Sequence, residues 1–179
     1  MSLKKNVHFG FVEDGKIGKV FIAVNKNGIY GCSFSDPNFF ERRHQNEEKK
    51  TDCEDIETIL DEAISQLKEY FQGRLRKFDL KIDWTNTTPF EQKVYRAAQN
   101  VEYGRVSTYG ELALAIGKPQ AARAVGGALG RNPIAIIIPC HRIVDSKRNL
   151  HGFSAPGGIS TKAALLQLEG HTIHNNRVL

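Results

Sequence analysis

Thr108-Tyr109-Gly110-Glu111-Leu112-Ala113-Leu114-Ala115-Ile116-Gly117-Lys118-Pro119-Gln120-Ala121-Ala122-Arg123-Ala124-Val125-Gly126-Gly127-Ala128-Leu129 carries the reading on which the fold turns. Thr108 and Glu111 stand at capping-box spacing, so a short helix starts there and runs to about Ile116. Gly117-Lys118-Pro119 is turn chemistry, and Gln120–Leu129 is the next helix. Helix, tight glycine-containing turn and second helix make a helix-turn-helix arrangement. The second helix has almost no side-chain bulk. Two mid-helix glycines cost about 1 kcal/mol each relative to alanine, so something else must favour them. Such a smooth face, with Arg123 alone projecting, suits close approach to a nucleic-acid groove. It suits close helix–helix packing equally well.

Downstream lies Ile136-Ile137-Ile138-Pro139-Cys140-His141-Arg142-Ile143-Val144. The apolar, β-branched run reads as a buried strand, which Pro139 stops for want of a ladder donor. Cys140 is then presented at the rigid edge of a core element, with His141 as a proton acceptor and Arg142 as a source of positive potential. A neighbouring imidazole or cation lowers a thiol pKa from about 8.5 toward neutrality. Taken alone, the pair fits a reactive thiol and a buried structural cysteine beside a satisfied histidine equally well.

Upstream, Thr88-Pro89 gives an N-cap followed by proline at the first helical position, opening a helix to about Gln99. Trp84–Thr88 is a polar connector and the best domain boundary, dividing the chain into residues 1–84 and 85–179. In the first part, Val7–Phe11, Lys16–Val24 and Gly28–Phe34 read as an antiparallel meander, joined by Glu13-Asp14-Gly15 and Asn25-Lys26-Asn27-Gly28. Ser35–Asp52 is polar and reads as a surface loop or irregular helix. Ile56, Ile59, Leu60, Ile64, Leu67, Tyr70 and Phe71 recur at helical spacing up to a Gly73 cap, and Phe78–Ile82 reads as one more strand. Cys32 sits in strand pattern as core. At the other end, Gly157-Gly158 precede an amphipathic helix over about Ser160–Glu169, closed by Gly170.

The charge is unevenly placed along the 179 residues. Residues 1–84 carry 14 Lys and Arg against 15 Asp and Glu, while residues 85–179 carry 11 against 5. The basic excess therefore sits in the half that holds Cys140, which favours a polyanionic partner such as nucleic acid. A merely soluble basic surface would show the same charge. The three cysteines, Cys32, Cys53 and Cys140, are far apart, with no C-x-x-C pair. That argues against a structural zinc and fits a reducing cytoplasm with at least one free thiol. No apolar stretch approaches the roughly 20 residues of a membrane span, and no secretory pattern is present.

Together these features resemble the O6-alkylguanine-DNA alkyltransferase family, the methylated-DNA–protein-cysteine methyltransferases. The resemblance covers about Pro89 to Gly170 and rests on Gly104–Tyr109, Ala121–Ala128, Asn132-Pro133, Ile138–Val144 and Leu165–Gly170. It implies an α+β chain, with a small ribonuclease H-like α/β domain followed by a helical, winged helix-turn-helix-like domain. It also implies roles. Cys140 accepts the alkyl group, His141 acts through a water as its base, and Glu169 orients His141. Tyr109 donates a proton to the departing guanine and presses on the adjacent phosphate. Arg123 fills the space left by a flipped nucleotide, while Ala122, Ala124 and Gly126 lie against the minor groove. Asn132 ties the recognition helix to the active-site strand. Main-chain carbonyls of Cys140 and Ile143 read the guanine amine, and Phe153 and Ser154 line the alkyl pocket. Gly152–Gly158 is about two residues longer than the corresponding family loop.

The resemblance further implies a partner, double-stranded DNA carrying O6-alkylguanine, with O4-alkylthymine as a second lesion. No cofactor, metal or membrane takes part, the protein acts as a monomer, and one alkyl group consumes it. It would work in the cytoplasm, or in the nucleus of a eukaryotic cell. Three other readings compete. A non-reactive lesion-binding relative would lack the acceptor cysteine. A cysteine-sensing regulator would need base-reading side chains that Ala121–Leu129 does not supply. A papain-like hydrolase would place its cysteine at a helix start with a distant histidine.

Overall fold

A computed structural model describes residues 7–34 and 53–179, and the expected loop Ser35–Asp52 lies outside them. The chain separates into two compact units, Met1–Thr85 and Asn86–Leu179. Among the described residues no helix is long and apolar enough to cross a membrane.

In the first unit, β1 (His8–Asp14), β2 (Gly18–Asn25) and β3 (Gly28–Ser33) form an antiparallel meander in that order. Each turn is set by a side chain that caps its own backbone. Asp14 Oδ1 accepts from the N–H groups of Lys16 and Ile17 at 2.9 Å, and Asn25 Oδ1 accepts from Asn27 N–H at 2.8 Å. Gly28 has φ +129°, and a Cβ there would lie 2.3 Å from the Lys81 carbonyl oxygen, so only glycine fits. Helix α1 (Cys53–Phe71) covers the sheet with its apolar stripe, burying Ile56, Ala63, Leu67 and Tyr70. It ends where the sequence places its cap, at Gly73 with φ +71°.

The strand expected over Phe78–Ile82 is a single parallel bridge between Ile29 and Ile82. The reason is competition. The Gln66 side chain of α1 accepts from Asp79 N–H and donates to Asp79 C=O, both at 2.9 Å. The Asp79 backbone groups that would extend the ladder are already satisfied. Among the described residues, Ile29 N–H to Lys81 C=O and Asp83 N–H to Ile29 C=O are the sheet bonds this segment makes.

The second unit opens with α2 (Pro89–Gln99), whose Thr88–Glu91 capping box is fully formed. Then come β4 (Ser107–Thr108), α3 (Tyr109–Ala115) with a second complete capping box, and α4 (Ala122–Gly130). Helices α2, α3 and α4 pack together through Val94, Ala98, Leu112, Val125, Ala128 and Leu129, and Tyr95 Oη donates to Ala128 C=O at 3.0 Å. A one-turn 3₁₀ helix (Cys140–Arg142) leads into β5 (Ile143–Val144), which pairs in parallel with β4. Helix α5 (Ile159–Leu168) and a terminal hairpin of β6 (Ile173–His174) and β7 (Arg177–Val178) close the unit. Val144, Leu150, Leu166 and Val178 form a second core there.

The run before Cys140 is buried as expected but is not a strand. It folds back on itself, with Ala135 bridging Ile138 and Ile136 at φ +71°. Asn132 imposes the fold. Its Oδ1 accepts from Ile134 N–H at 3.0 Å, while its Nδ2 donates to Ile138 C=O at 2.9 Å. A β-branched residue in the left-handed region costs on the order of 1–3 kcal/mol, so surrounding contacts over-determine this turn.

The α3 cap gives a first testable outcome. Thr108 Oγ1 accepts from Glu111 N–H at 3.1 Å, and Glu111 returns a bond to Thr108 N–H at 2.7 Å. Thr108→Ala should destabilise the protein by about 1 kcal/mol in urea unfolding at pH 7. An unchanged midpoint would show that the cap contributes nothing.

Candidate active site

Cys140 is the first residue of the 3₁₀ turn and is half-buried. The bent run upstream and β5 downstream fix its backbone, and Asn132 Nδ2 donates to its Sγ at 3.3 Å. The asparagine that shapes the turn therefore also holds the thiol.

His141 and Glu169 are fully buried side chains, joined by a 2.9 Å contact between Nε2 and Oε1. Glu169 is itself clamped. Arg142 Nε donates to its Oε1 at 3.1 Å and Oε2 at 2.9 Å, and Arg142 Nη2 donates to Oε1 at 2.9 Å. Gly104 N–H reaches Oε2 at 3.3 Å. Arg142 Nη1 in turn donates to Val101 C=O at 2.7 Å, and its guanidinium lies 5.9 Å from the Tyr103 ring centroid. Bidentate pairing of this kind fixes geometry as well as charge. Burial would raise the Glu169 carboxyl, but the bonds from His141 and Arg142 hold it down at about 2.

These contacts correct the expectation of an acidified thiol. Burial pushes Cys140 above the ordinary thiol range, against opposing pulls from the Asn132 bond, the Lys162 charge and nearby N–H groups. His141 cannot act as a resident cation, because burial holds its pKa below the usual histidine value despite Glu169. Arg142 is committed to Glu169. The resting pair is a neutral thiol beside a neutral imidazole, and a base must act before sulfur becomes nucleophilic.

The other expected residues fall into two places. Tyr109 begins α3 half-buried, with its ring against the α4 backbone, 3.7 Å from where a Gly126 Cβ would be. Burial, then the Cys140 and Asp145 charges, push its phenol up, so it is protonated at neutral pH. Ile143 has its side chain in the core, and its carbonyl accepts from Lys162 Nζ at 2.6 Å. Ser154 Oγ donates to Gly130 C=O at 3.1 Å, tying the long loop to the end of α4, and Phe153 is half-buried beside it. On α4, Arg123 and Ala124 are exposed, while Ala122 and Gly126 are half-buried. The helix thus uses Val125, Ala128 and Leu129 for packing and leaves a smooth face outward.

Two participants escaped the sequence reading. Lys162 is buried on α5, although its spacing from Leu165, Leu166 and Glu169 places it on the same helical face. Asp145 accepts from Lys147 N–H, Asn149 N–H and His151 Nε2, which stiffens the turn after β5. No sequence signal separates that aspartate from a solvated one. Among the described residues no cluster of three His, Cys, Asp or Glu side chains could hold a metal ion.

Comparison with known proteins follows the same division. Residues 12–84 match the profile of the 6-O-methylguanine DNA methyltransferase ribonuclease-like domain, and residues 89–171 match that of its DNA binding domain. A methylated-DNA–protein-cysteine methyltransferase of Mycobacterium tuberculosis is 50% identical over 107 residues, 60% of this chain and 63% of that protein. The alignment thus spans under two thirds of the mycobacterial relative. One from Methanosarcina barkeri is 38% identical over 160 residues, 89% of this chain and 96% of that protein. The crystal structure of Mycobacterium tuberculosis O6-methylguanine methyltransferase superimposes with a TM-score of 0.73 at 36% identity, covering 91% of this chain and 92% of that one. A Mycobacterium tuberculosis OGT solved in complex with DNA gives 0.74 at 36% identity, covering 91% and 93%.

Proposed function

The chain belongs to the 6-O-methylguanine DNA methyltransferase family, and from that membership we propose that it repairs DNA by moving an alkyl group from O6 of guanine, or O4 of thymine, onto Cys140. The observation that carries this reading is the thiol, held at 3.3 Å by Asn132 next to a buried His141–Glu169 pair at 2.9 Å.

The chemistry follows from the geometry. Glu169 engages Nε2 of His141, so the Cys140 proton passes through a water to Nδ1, and the imidazolium forms against a fixed carboxylate. The sulfur electron pair forms a bond to the alkyl carbon while the carbon–O6 bond breaks toward guanine. The protonated Tyr109 phenol supplies the proton that neutralises the leaving base. The thioether product is inert, so each molecule acts once. The reaction needs alignment and proton traffic, which these residues supply.

A stacked guanine hides its O6 substituent, so the nucleotide must leave the duplex at a cost of a few kcal/mol. The smooth outer face of α4 approaches the minor groove through Ala122, Ala124 and Gly126, and Arg123 enters the vacated stack. Main-chain carbonyls of Cys140 and Ile143 read the guanine amine, and Phe153 with Ser154 bounds the alkyl pocket. The protein works as a monomer on double-stranded DNA, in a reducing compartment such as the cytoplasm that keeps Cys140 free. Retention of Cys140 sets it apart from non-reactive lesion-binding relatives.

The test is loss of O6-methylguanine from a duplex, measured over one turnover. One equivalent of protein should convert one equivalent of lesion and then stop. Continued turnover, or no conversion, would overturn the reading. Arg123→Ala should slow conversion in duplex DNA by on the order of tenfold to a hundredfold, yet hardly affect attack on the free base, which needs no flipping. Its log–log salt slope should stay near that of the wild type, whereas a lost phosphate contact would lower it by about one unit. Equal slowing on both substrates would rule out the flipping role.

A further inference from the structure

The turn after β5 and the terminal hairpin carry cations that the site does not use. From Asp145 to Leu179 the side chains supply two carboxylates, Asp145 and Glu169, against Lys147, Arg148, Lys162 and Arg177. Glu169 and Lys162 are buried. Asp145 is spent on its own turn. Its Oδ1 accepts from Lys147 N–H at 2.8 Å and Asn149 N–H at 2.7 Å, and its Oδ2 meets Asn149 Nδ2 and His151 Nε2 at 2.9 Å each. Among the described residues, no ion pair engages Lys147, Arg148 or Arg177, and all three are exposed.

Backbone pairing brings these cations onto one surface. The hairpin turns through Asn175 and Asn176, left-handed at φ +48° and +58°, so His174 pairs with Arg177. Asn149 bridges Arg177 on the other side, and Arg148 C=O accepts from Val178 N–H at 3.0 Å. Val178 and Leu150 pack into the core, which leaves the alternate residues His174 and Arg177 facing solvent. Arg148 stands at φ +63°. Glycine or asparagine makes such a turn with less strain, so the turn itself does not account for an arginine. The register also fixes where this surface lies. Thr108 pairs with Val144, so Asp145 runs beside Tyr109 at the start of α3. Arg148 reaches the same place: the Glu111 carboxyl, held low chiefly by the Thr108 N–H and the Ser107 hydroxyl, is lowered further by the Arg148 charge. The basic rim therefore borders the side of the unit that presents Tyr109.

We propose that Arg148 and Arg177, flanked by Lys147 and His174, form a second DNA contact that grips phosphates of the duplex outside the groove entered by α4. The inference rests on the reading of this unit as the one that holds the lesion-bearing duplex. Exposed cations with no carboxylate paired to them fit a row of phosphates, and a guanidinium takes each phosphate in a two-pronged grip. Duplex DNA is the source of those phosphates because the rim continues from Tyr109, which the flipped nucleotide meets. Phosphate contacts fix a protein's register on the duplex without reading its sequence. The rim would thus hold the flanking backbone in place while one nucleotide is extruded.

The salt dependence of duplex binding tests this, measured by fluorescence anisotropy on DNA of about 20 base pairs between about 50 and 200 mM salt. Arg148→Gly suits φ +63° and Arg177→Thr suits a strand, so the double variant removes two charges and keeps the backbone. Its affinity should fall about tenfold, and its log–log slope should lose about two units, one for each phosphate contact. A duplex without a lesion should show the same loss, since phosphates carry no lesion. Arg148→Lys with Arg177→Lys keeps the charge and should hold the wild-type slope within about half a unit. Lys16→Ser with Lys26→Ser removes two exposed cations from the first unit and should leave the slope equally unchanged. A folded Arg148→Gly/Arg177→Thr protein with the wild-type slope would overturn the proposal. So would an equal loss in Lys16→Ser/Lys26→Ser, which would reduce the effect to net charge. A Gly/Thr protein that fails to fold would make the two arginines structural and overturn it as well. Failure of the wild type to transfer methyl would instead remove the alkyl-acceptor reading, and the slope on lesion-free DNA keeps the two failures apart.

Discussion

Cys140→Ala should abolish alkyl transfer completely while leaving affinity for an O6-methylguanine duplex within about threefold of wild type. The sulfur is the only atom that the proposed step cannot replace, because the new bond forms on it. The small side chain adds little to a DNA interface built on α4, and alanine fills the same turn. Loss of the thiol also removes the group on which Asn132 Nδ2 spends one bond, although Asn132 keeps its bond to Ile138 C=O. The local fold should therefore survive. Gel-shift titration and lesion conversion on the same samples measure both quantities. Residual conversion by Cys140→Ala would move the acceptor elsewhere. Cys32 is a poor alternative, since it is fully buried and burial raises its thiol far out of reach of neutral pH.

Glu169→Gln should be the most damaging single change to stability. The carboxylate is buried and receives bonds from His141, Arg142 and Gly104. Glutamine keeps the shape but leaves the Arg142 guanidinium buried without its anion. Breaking such a pair from one side costs about 3–5 kcal/mol, or upward of about 10 °C in melting temperature for a domain this size. The acid profile should change with it. The folded-state carboxyl sits near 2, below its unfolded value of 4.5, so its contribution is present at neutral pH and is lost as pH falls from about 4.5 toward 2. His141 acts in the same direction. Its folded pKa is lowered, so the unfolded chain takes up its proton first, and stability drops as pH falls through 6.5. Glu169→Gln should lose the lower of these two phases. Alkyl transfer should also slow, on the order of a hundredfold, because His141 no longer has a fixed carboxylate to support the imidazolium. Wild-type stability at pH 7 would contradict the clamp.

The sequence made some of this legible and hid the rest for physical reasons. Thr88-Pro89 and Thr108–Glu111 announce helix starts through local hydrogen bonds; both caps form, Thr108 with the expected Glu111 and Thr88 with Glu91, a partner the sequence reading does not name. Local chemistry of this kind does not depend on tertiary context. The apolar run before Pro139 signalled burial, but extended against folded backbone was decided by Asn132, several residues away. Phe78–Ile82 failed for a related reason: Gln66, on another element, competes for its backbone. In the site, Pro139-Cys140-His141 is ambiguous by its own chemistry, and the resemblance carried by the surrounding motifs singles out Cys140 as the proposed acceptor. Its ionisation was misjudged, since adjacency says nothing about burial or about which way His141 and Arg142 turn. Both face Glu169, 27 or 28 positions downstream. Lys162 was invisible because a lysine between apolar positions usually reaches solvent, and here it does not.

The most direct test of the central claim is peptide-resolved mass spectrometry of the wild-type protein after incubation with a duplex containing one O6-methylguanine. A single methyl group should appear, on the peptide that contains Cys140, and should saturate at one per chain however much duplex is added. A methyl group on Cys32, Cys53 or any non-cysteine residue, or lesion loss with no mass gained by the protein, would contradict the account.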